Sequence, residues 1–285
     1  MAAEALVTAT ERPPITEPPL PAWLEDKDVI IIRPYYPEGV QYTITTGGSN
    51  YIGFIDDCTV LKYPHSPGNL SPLEHEAKIY ELIGRHPRVV EFKGMTEWGI
   101  QLQNARNGSV GMYLLEHSTS PEEKLKWSTQ AAEAVASIHS KGVVHCDINA
   151  SNLVLNEDLN VQLCDFQSKA LAPDGSTLLD AGVYENPKYR LPSVASEDET
   201  NYKTDIFALG TTLYHIMQGH PPFPDLDQFE DEIAIQEHYQ SGNLPLLNEK
   251  KVEEIVHKCW KAEYPSADIV AAELRELCEH FEVRE

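Results

Sequence analysis

Short runs of β-branched and aromatic residues, separated by turn residues, fill the chain from about residue 28 to residue 103. Runs of about four to eight such residues are typical of β-strands. One amphipathic stretch, "SPLEHEAKIYELIGRH", interrupts them and predicts a helix with Ser71 as its cap, Pro72 in its first turn and Glu74 three residues after the cap. The predicted strands are "VIIIRPYY", "VQYTITTGG", "YIGFIDD", "CTVLKYP", "VVEFKGMTE" and "GIQLQN".

Longer helical patterns follow Asn107-Gly108. The stretch "SPEEKLKWSTQAAEAVASIHSKG" predicts a helix that Ser120 caps and Gly142 ends. Its apolar residues recur at spacings of three and four, which places on one face Trp127, Ala131, Ala134, Val135 and Ile138. The stretch "KTDIFALGTTLYHIMQG" is apolar on nearly every side and predicts a buried central helix. Two later amphipathic helices are predicted at "NEKKVEEIVHKCW" and "SADIVAAELRELCEHF".

The order of these patterns predicts an α+β chain in four parts. We expect residues 1–27 to form a disordered or loosely docked tail, because the five prolines between residues 13 and 21 remove amide donors and favour extended chain. A β-rich N-terminal lobe over 28–102 is joined by a short hinge over 103–108 to an α-helical C-terminal lobe over 109–285.

The formal net charge of −23 narrows the range of partners. Binding to nucleic acid through phosphates needs clustered Lys and Arg, so we expect no nucleic-acid partner. The same charge repels acidic membrane surfaces and attracts basic peptides. The chain has no run of ~18 apolar residues and no signal-peptide pattern, so we expect no membrane partner.

The cysteines indicate a reducing compartment. Their number is odd and no CxxC pair occurs, which argues against a disulfide framework or a structural zinc site. We therefore predict a cytoplasmic protein, with the nucleus as the alternative. The five cysteines are Cys58, Cys146, Cys164, Cys259 and Cys278.

Two polar loops carry the candidate chemistry. Asp147 and Asn152 lie five residues apart in a loop after a helix, and Asp165 follows the apolar strand "VQLC". Carboxylate and amide oxygens are the hard ligands that Mg²⁺ prefers. A lone Asp in a loop is more often a turn former, but two such loops on either side of one short hairpin are a more specific signal.

In these loops the chain resembles eukaryotic-type protein kinases. "HCDINASN", residues 145–152, is similar to the family's HRD-x-x-x-x-N loop, and "DFQ", residues 165–167, to its DFG motif. The resemblance implies a bilobal kinase-like fold that transfers the γ-phosphate of ATP. It implies that Asp147 orients the substrate hydroxyl and accepts its proton, and that Asn152 and Asp165 hold Mg²⁺ on the nucleotide phosphates.

The resemblance also implies the rest of the nucleotide site. Lys62 in "TVLK" would hold the phosphates through an ion pair with Glu76, for which Glu74 and Glu81 are nearby alternatives. Leu102 would be the gatekeeper, and the backbone from Gln103 to Ala105 would bind adenine. The implied nucleotide-binding residues are Gly47, Gly48, Ile52, Val60, Lys62, Leu102, Gln103, Ala105 and Val154. Three further motifs follow in family order over about residues 40–278, namely "YRLP", "KTDIFALG" with Asp205, and "KCW".

Several motifs depart from the family pattern. The glycine-rich loop is reduced to "TTGGSN", and Asn149 stands where serine/threonine kinases carry a lysine near the γ-phosphate. Cys146 replaces the arginine that usually meets an activation-segment phosphate, so control by segment phosphorylation loses its receiver. Gln167 replaces the DFG glycine and restricts the backbone there.

The end of the activation segment differs as well. Ser193 follows Pro192 where the family has a glutamate, and Tyr264 stands where the family has its arginine partner. Because both partners of this ion pair are absent, neither leaves a buried charge without its counter-ion. Because Cys146 removes the phosphate receiver and the segment between Asp165 and Pro192 is short, the possible phosphorylation sites are poor candidates for a switch; they are Ser168, Ser176, Thr177 and Tyr184.

Three functions remain open at this point. The first is an ATP- and Mg²⁺-dependent serine/threonine protein kinase acting as a monomer on a protein substrate, with the acidic stretch "PDLDQFEDE", residues 224–232, indicating a basic one. The second is a pseudokinase that acts as a binding or scaffold module. The reduced glycine-rich loop, Asn149 and Gln167 favour this interpretation. The third is a small-molecule phosphotransferase, against which the "YRLP" and "KTDIFALG" motifs argue.

Overall fold

The computed structural model describes residues 35–166, 168–182, 185–192 and 200–282. The predicted tail over 1–27 and nearly all of the strand predicted at "VIIIRPYY" lie outside these residues. So do Gln167, Tyr184 and Ser193. The residues from Tyr36 onward form one compact unit, and all elements below belong to it.

One antiparallel sheet of five strands accounts for the β-rich part of the unit. Its spatial order is β1-β2-β3-β5-β4. Strand β3 lies in the middle, where Lys62 is opposite Ile52 on one side and Ile100 on the other. The strands are β1 (Tyr42–Thr46), β2 (Asn50–Asp56), β3 (Thr59–Pro64), β4 (Phe92–Met95) and β5 (Ile100–Gln103).

The single helix of this part, α1 (Ser71–Ile83), packs one face on the sheet. Its buried face includes Leu73, Ile79 and Tyr80, and also the charged Glu76. The prediction that Ser71 caps the helix is wrong. Leu70 occupies the cap position without a side-chain hydrogen bond, because the helical backbone already includes Ser71 and Pro72 follows in the first turn.

Six helices follow in the described residues, and α3 and α4 are the most buried of them. Ser120 caps α3 as predicted, since its hydroxyl accepts from Glu123 N. The five residues predicted on its apolar face are fully buried. No described helix is long and apolar enough to cross a membrane. The helices are α2 (Val110–Glu116), α3 (Pro121–His139), α4 (Tyr202–Gln218), α5 (Glu232–Ser241), α6 (Lys250–Trp260) and α7 (Ala267–Glu282).

Gly142 does not end α3, contrary to the prediction. The helix ends at His139 with Ser140 in the cap position. Gly142 has a φ of 77°, and a Cβ on it would lie 2.5 Å from the carbonyl oxygen of Leu171. Glycine is therefore needed here because the backbone of another strand passes close by.

Five short strands flank the two polar loops that carry the candidate chemistry. β7 (Leu153–Leu155) and β8 (Val161–Leu163) form the hairpin expected between the two loops. β6 (Val143–Val144), β9 (Lys169–Leu171) and β10 (Thr177–Leu179) form a second small sheet in the order β10-β9-β6. The β9–β10 hairpin was not predicted, although Pro173-Asp174-Gly175 between its strands is a turn sequence.

Candidate active site

The loop that carries Asp147 is tied to the central helix α4. The fully buried Asp205 accepts hydrogen bonds from His145 N at 2.7 Å and from Cys146 N at 2.9 Å. His139 Nε2 lies 2.8 Å from the same carboxylate. These hydrogen bonds join α4 to the loop backbone, and they explain how Cys146 is kept at a φ of 65°, a region that L-residues rarely adopt.

Two amides hold the carboxylate of Asp147. Asn149 Nδ2 donates to Asp147 Oδ1 at 2.9 Å, and Asn152 Nδ2 donates to Oδ2 at 2.8 Å. Asn149 Oδ1 in turn accepts from Ser151 N at 2.8 Å and so shapes the loop. The residue in the position of the family's lysine therefore orients Asp147, a role that sequence reasoning did not identify.

Burial raises the pKa of Asp147, while His145 and the hydrogen bonds from Asn152 and Asn149 act in the opposite direction. The negative charge of Asp165 adds to the increase. A carboxylate with a raised pKa accepts a proton more readily than one in water. Asp147 is thus both oriented and made more basic.

Lys62 links α1 to the second polar loop. Its Nζ lies 2.6 Å from Glu76 Oε2 and 2.5 Å from Asp165 Oδ1. Burial alone would lower the pKa of Lys62, but the two carboxylates outweigh it and raise the pKa. The alternatives Glu74 and Glu81 are exposed, whereas Glu76 is 1% exposed.

Phe166 fastens the second loop against both α1 and the Asp147 loop. Its backbone N–H donates to Glu76 Oε1 at 3.2 Å. Its buried ring makes an edge contact with Tyr80 of α1, with centroids 4.9 Å apart, and lies 5.1 Å from the ring of His145. The three parts of the candidate site are therefore packed together, with Asp165 kept at a φ of 67°.

Asn152 and Asp165 provide a donor set that fits Mg²⁺. The amide nitrogen of Asn152 donates to Asp147, which leaves the amide oxygen as the side chain's ligand atom. Asp165 adds a carboxylate, and both are hard oxygen donors. Two protein side chains suit an ion that shares its coordination with phosphate oxygens and water. The residues present therefore fit the metal that the resemblance implies.

The implied adenine site has an apolar wall. Val60 and Leu102 are opposite each other on β3 and β5 and are buried, while Ile52 and Val154 are partly buried against the same core. Gly47 and Gly48 form the exposed turn between β1 and β2, which Gly47 N closes by donating to Asn50 O at 2.9 Å. Neither glycine has a positive φ.

Fewer hinge backbone groups are available to bind adenine than predicted, because two of the three N–H groups already donate within the chain. Gln103 N donates to Glu91 O, and Asn104 N donates to Cys58 O at 3.0 Å. Ala105 O accepts from Gly108 N at 3.1 Å, and within the described residues no hydrogen bond is found for Ala105 N. Of the three residues predicted to bind adenine through their backbone, only Ala105 thus has an N–H group without a partner in the described residues.

Cys146 stands where the family has a phosphate-binding arginine, and Glu185 lies near it. The Cys146 side chain is buried, with Sγ 3.6 Å from Thr200 Oγ1. Glu185 is 3% exposed, and neither of its carboxylate oxygens has a hydrogen-bond partner in the described part of the chain. Burial, with the nearby charges of Asp205 and Asp147, raises the pKa of Glu185 to about 8. Sequence reasoning missed Glu185, because only burial distinguishes it.

Replacing Glu185 with Gln is expected to flatten the pH dependence of stability. Between pH 4.5 and about 8 the folded state holds a proton on Glu185 that the unfolded state releases. The wild-type free energy of unfolding therefore falls as the pH rises, on the order of a few kcal/mol. Urea unfolding from pH 5 to pH 9 measures this loss. Glu116→Gln, at an exposed site, should keep the wild-type slope, and parallel slopes for Glu185→Gln and wild type would contradict the assignment.

The segment after Asp165 is fixed by contacts that involve no phosphate. Lys169 in β9 forms an ion pair with Asp180 at 3.2 Å, and His75 Nε2 of α1 lies 2.7 Å from Ser168 O. Of the predicted phosphorylation sites, Ser168 is buried, while Ser176 and Thr177 are exposed at the hairpin.

Tyr264 stands at the position of the family's arginine and makes a different set of contacts. It is buried, and its hydroxyl donates to Glu273 Oε2 at 2.6 Å. Lys258 Nζ donates to the same carboxylate at 3.0 Å. Where the family has the arginine of its Glu–Arg ion pair, this chain thus has a hydrogen-bonded group of Tyr264, Lys258 and Glu273 among the C-terminal helices.

The fold and the two loops define a protein kinase, and the chain belongs to that family: the protein kinase domain matches residues 61–280. The prediction of a bilobal α+β kinase fold is thereby confirmed. The chain is 26% identical over 209 residues to mitogen-activated protein kinase kinase kinase 17 of Arabidopsis thaliana, covering 67% of this chain and 54% of that protein.

Two further relatives are also kinases. Serine/threonine/tyrosine-protein kinase HT1 of Arabidopsis thaliana is 25% identical over 189 residues, which cover 64% of this chain and 47% of that protein. The 3-phosphoinositide-dependent protein kinase 1 of Homo sapiens is 29% identical over 124 residues, covering 43% of this chain and 22% of that protein. The chain thus spans about half or less of the length of these relatives.

Proposed function

We propose that this chain is an active protein kinase that transfers the γ-phosphate of ATP to Ser or Thr hydroxyls of a protein substrate in the presence of Mg²⁺. The observation that carries the proposal is the joint placement of Lys62, Glu76 and Asp165 next to the Asp147–Asn152 loop. Each link is a hydrogen bond between buried or half-buried groups. Phosphoryl transfer depends mainly on such positioning and charge.

The residues of the chain have separate tasks in this reaction. Asp147, oriented by Asn149 and Asn152, positions the attacking hydroxyl and accepts its proton. Lys62, oriented by Glu76, holds the nucleotide phosphates. When bound, Mg²⁺ on Asn152 and Asp165 neutralises charge on the phosphates. Asn149 is neutral and brings no cation to the γ-phosphate, so we expect a slow enzyme.

We further propose that the kinase works without phosphorylation of its activation segment. The buried Cys146 leaves no guanidinium to receive a phosphate, while the β9–β10 hairpin and the Lys169–Asp180 pair hold the segment. The proposal includes a monomer in the cytoplasm or nucleus, acting on a protein with basic segments and binding neither nucleic acid nor membrane, in keeping with the charge of −23.

The Ser176→Ala/Thr177→Ala variant is expected to transfer phosphate within about twofold of the wild-type rate, because a phosphate there would find no arginine at position 146. Initial rates of both proteins after phosphatase treatment measure this. Wild-type activity that is lost on phosphatase treatment and absent from the variant would contradict phosphate-independent competence.

A pseudokinase is the second candidate, favoured by the neutral Asn149 and the short glycine turn. The deciding experiment incubates the full chain with Mg²⁺, γ-labelled ATP and a library of Ser, Thr and Tyr peptides, followed by phosphoamino-acid analysis. Phosphoserine or phosphothreonine supports the proposal. Absence of label, with no Mg²⁺–ATP thermal shift at millimolar ATP, favours the pseudokinase. Labelling of small alcohols alone indicates a small-molecule phosphotransferase.

A further inference from the structure

An exposed apolar pair lies at the start of α5. Phe229 is 70% exposed and Ile233 is 76% exposed. Phe229 lies in the turn that leads into α5, in which Asp231 N donates to Asp227 O at 3.1 Å, and Ile233 lies in the first turn of the helix. Both exposed side chains therefore belong to the surface at the start of α5. We call this surface the α5 patch, which comprises Phe229, Ile233 and the exposed carboxylates Asp225, Glu230 and Glu237.

The α5 patch is strongly acidic. The sequence has no Lys or Arg between Lys203 and Lys250. In the described part of the chain, Asp225, Glu230 and Glu237 form no ion pair. Arg190 pairs with Glu232, and Lys188 lies near Asp227 and Asp231, but the three carboxylates of the patch keep their negative charge uncompensated around the apolar pair. Charged surroundings of this kind steer basic partners and repel acidic ones.

The surroundings of the α5 patch are hydrogen-bonded to the segment 185–192, which ends in the "YRLP" motif. The contacts come from both sides of the patch and fix the segment at several points. They are Asn186 Nδ2 to Gln228 Oε1, Lys188 Nζ to Phe223 O at 2.9 Å, Gln236 Nε2 to Pro187 O at 2.8 Å, Tyr239 OH to Lys188 O at 2.8 Å, and the Arg190–Glu232 ion pair.

An open cavity continues from the α5 patch along the helix. Its volume is about 560 Å³, and Glu237 of the patch forms part of its wall. Through Glu237, this open depression gives a ligand on the patch further surface to contact along α5. It is lined by Ala234, Glu237, His238, Gln240, Ser241 and Asn243.

We infer that the α5 patch is a docking surface for a basic segment of the protein substrate that carries two large apolar side chains. Phe229 and Ile233 contact the apolar side chains, and Asp225, Glu230 and Glu237 attract the Lys or Arg residues around them. A second copy of the chain does not fit as the occupant, because two surfaces of the same negative charge repel each other. The inference rests on the proposed kinase function for the identity of the ligand as a substrate.

Fluorescence anisotropy of the full chain tests the inference without nucleotide. The probes are labelled synthetic peptides of about 12 residues that combine Lys and Arg with two Leu or Phe in varied registers. Matched peptides replace the apolar residues with Ala or the cations with Glu. The test variant is Phe229→Ala/Ile233→Ala, and the matched control is Met112→Ala/Leu115→Ala, an exposed apolar pair on α2.

The wild type should bind the basic apolar peptides best, and added salt should weaken binding. The test variant should lose about tenfold in affinity while the control variant keeps it. Equal affinities of the two variants, equal binding of acidic peptides, or no binding of any probe would overturn the inference. Phosphate transfer measured in parallel separates the two proposals. Transfer without patch-dependent binding supports the kinase function and contradicts the docking surface. Patch-dependent binding without transfer supports a peptide-binding surface and contradicts the kinase function.

Discussion

Replacing Asp147 with Asn is expected to lower phosphate transfer about a thousandfold with little change in nucleotide binding. The substitution removes the proton acceptor. It also brings an amide NH₂ group into an environment where Asn149 and Asn152 each donate to a carboxylate oxygen. One of the two donors must lose its acceptor, so the loop is loosened as well.

Initial rates of labelled phosphate transfer, with Mg²⁺–ATP affinity measured on the same protein, check this expectation. Asp158→Asn is the matched control, since Asp158 is exposed in the turn between β7 and β8. It should keep the wild-type rate. An Asp147→Asn protein with the wild-type rate would show that another group accepts the proton.

The Lys62→Met variant is expected to lose about 3–5 kcal/mol of stability as well as nucleotide binding. Glu76 is 1% exposed, and Lys62 is its only cation partner in the described residues. Without Lys62, burial of Glu76 beside Asp165 is no longer compensated, and its pKa, already raised by burial, rises further. The destabilisation should therefore be smaller at pH 5 than at pH 8.

Urea unfolding at the two pH values measures the effect. Glu76→Gln in the Lys62→Met background should recover part of the loss, because the uncompensated charge is gone. Lys141→Met, at an exposed position, is the control and should unfold like the wild type. A Lys62→Met protein as stable as the wild type at pH 8 would contradict the buried ion pair.

The helices and the central strands could be predicted from the sequence because each depends on a local pattern. The apolar face of α3 and the Ser120 cap are examples, and the order of the kinase motifs predicted which residues would meet. Lys62 and Asp165 lie 103 residues apart in the chain, and their contact could be anticipated only from the resemblance. Ser71 was misassigned because the helix begins one residue earlier than its cap pattern indicates, and Gly142 because glycine suits both helix ends and close backbone approaches.

Three features of the site escaped prediction for physical reasons. The hydrogen bond from Asn149 to Asp147 depends on side-chain geometry within a loop. The burial of Glu185 depends on how the segment 185–192 packs over α4 and α5, and no local pattern distinguishes this glutamate from a solvated one. The β9–β10 hairpin has only three residues in each strand, too few for a clear alternation.

The central claim is that this site retains the chemistry of phosphoryl transfer while it has lost control by a segment phosphate. The most direct measurement is the time course of phosphate transfer from Mg²⁺–ATP to Ser/Thr peptides by the phosphatase-treated protein. We predict transfer from the first time point, without a lag, that depends on Asp147. No transfer at millimolar ATP, or a lag that ends as the protein phosphorylates itself, would contradict the claim.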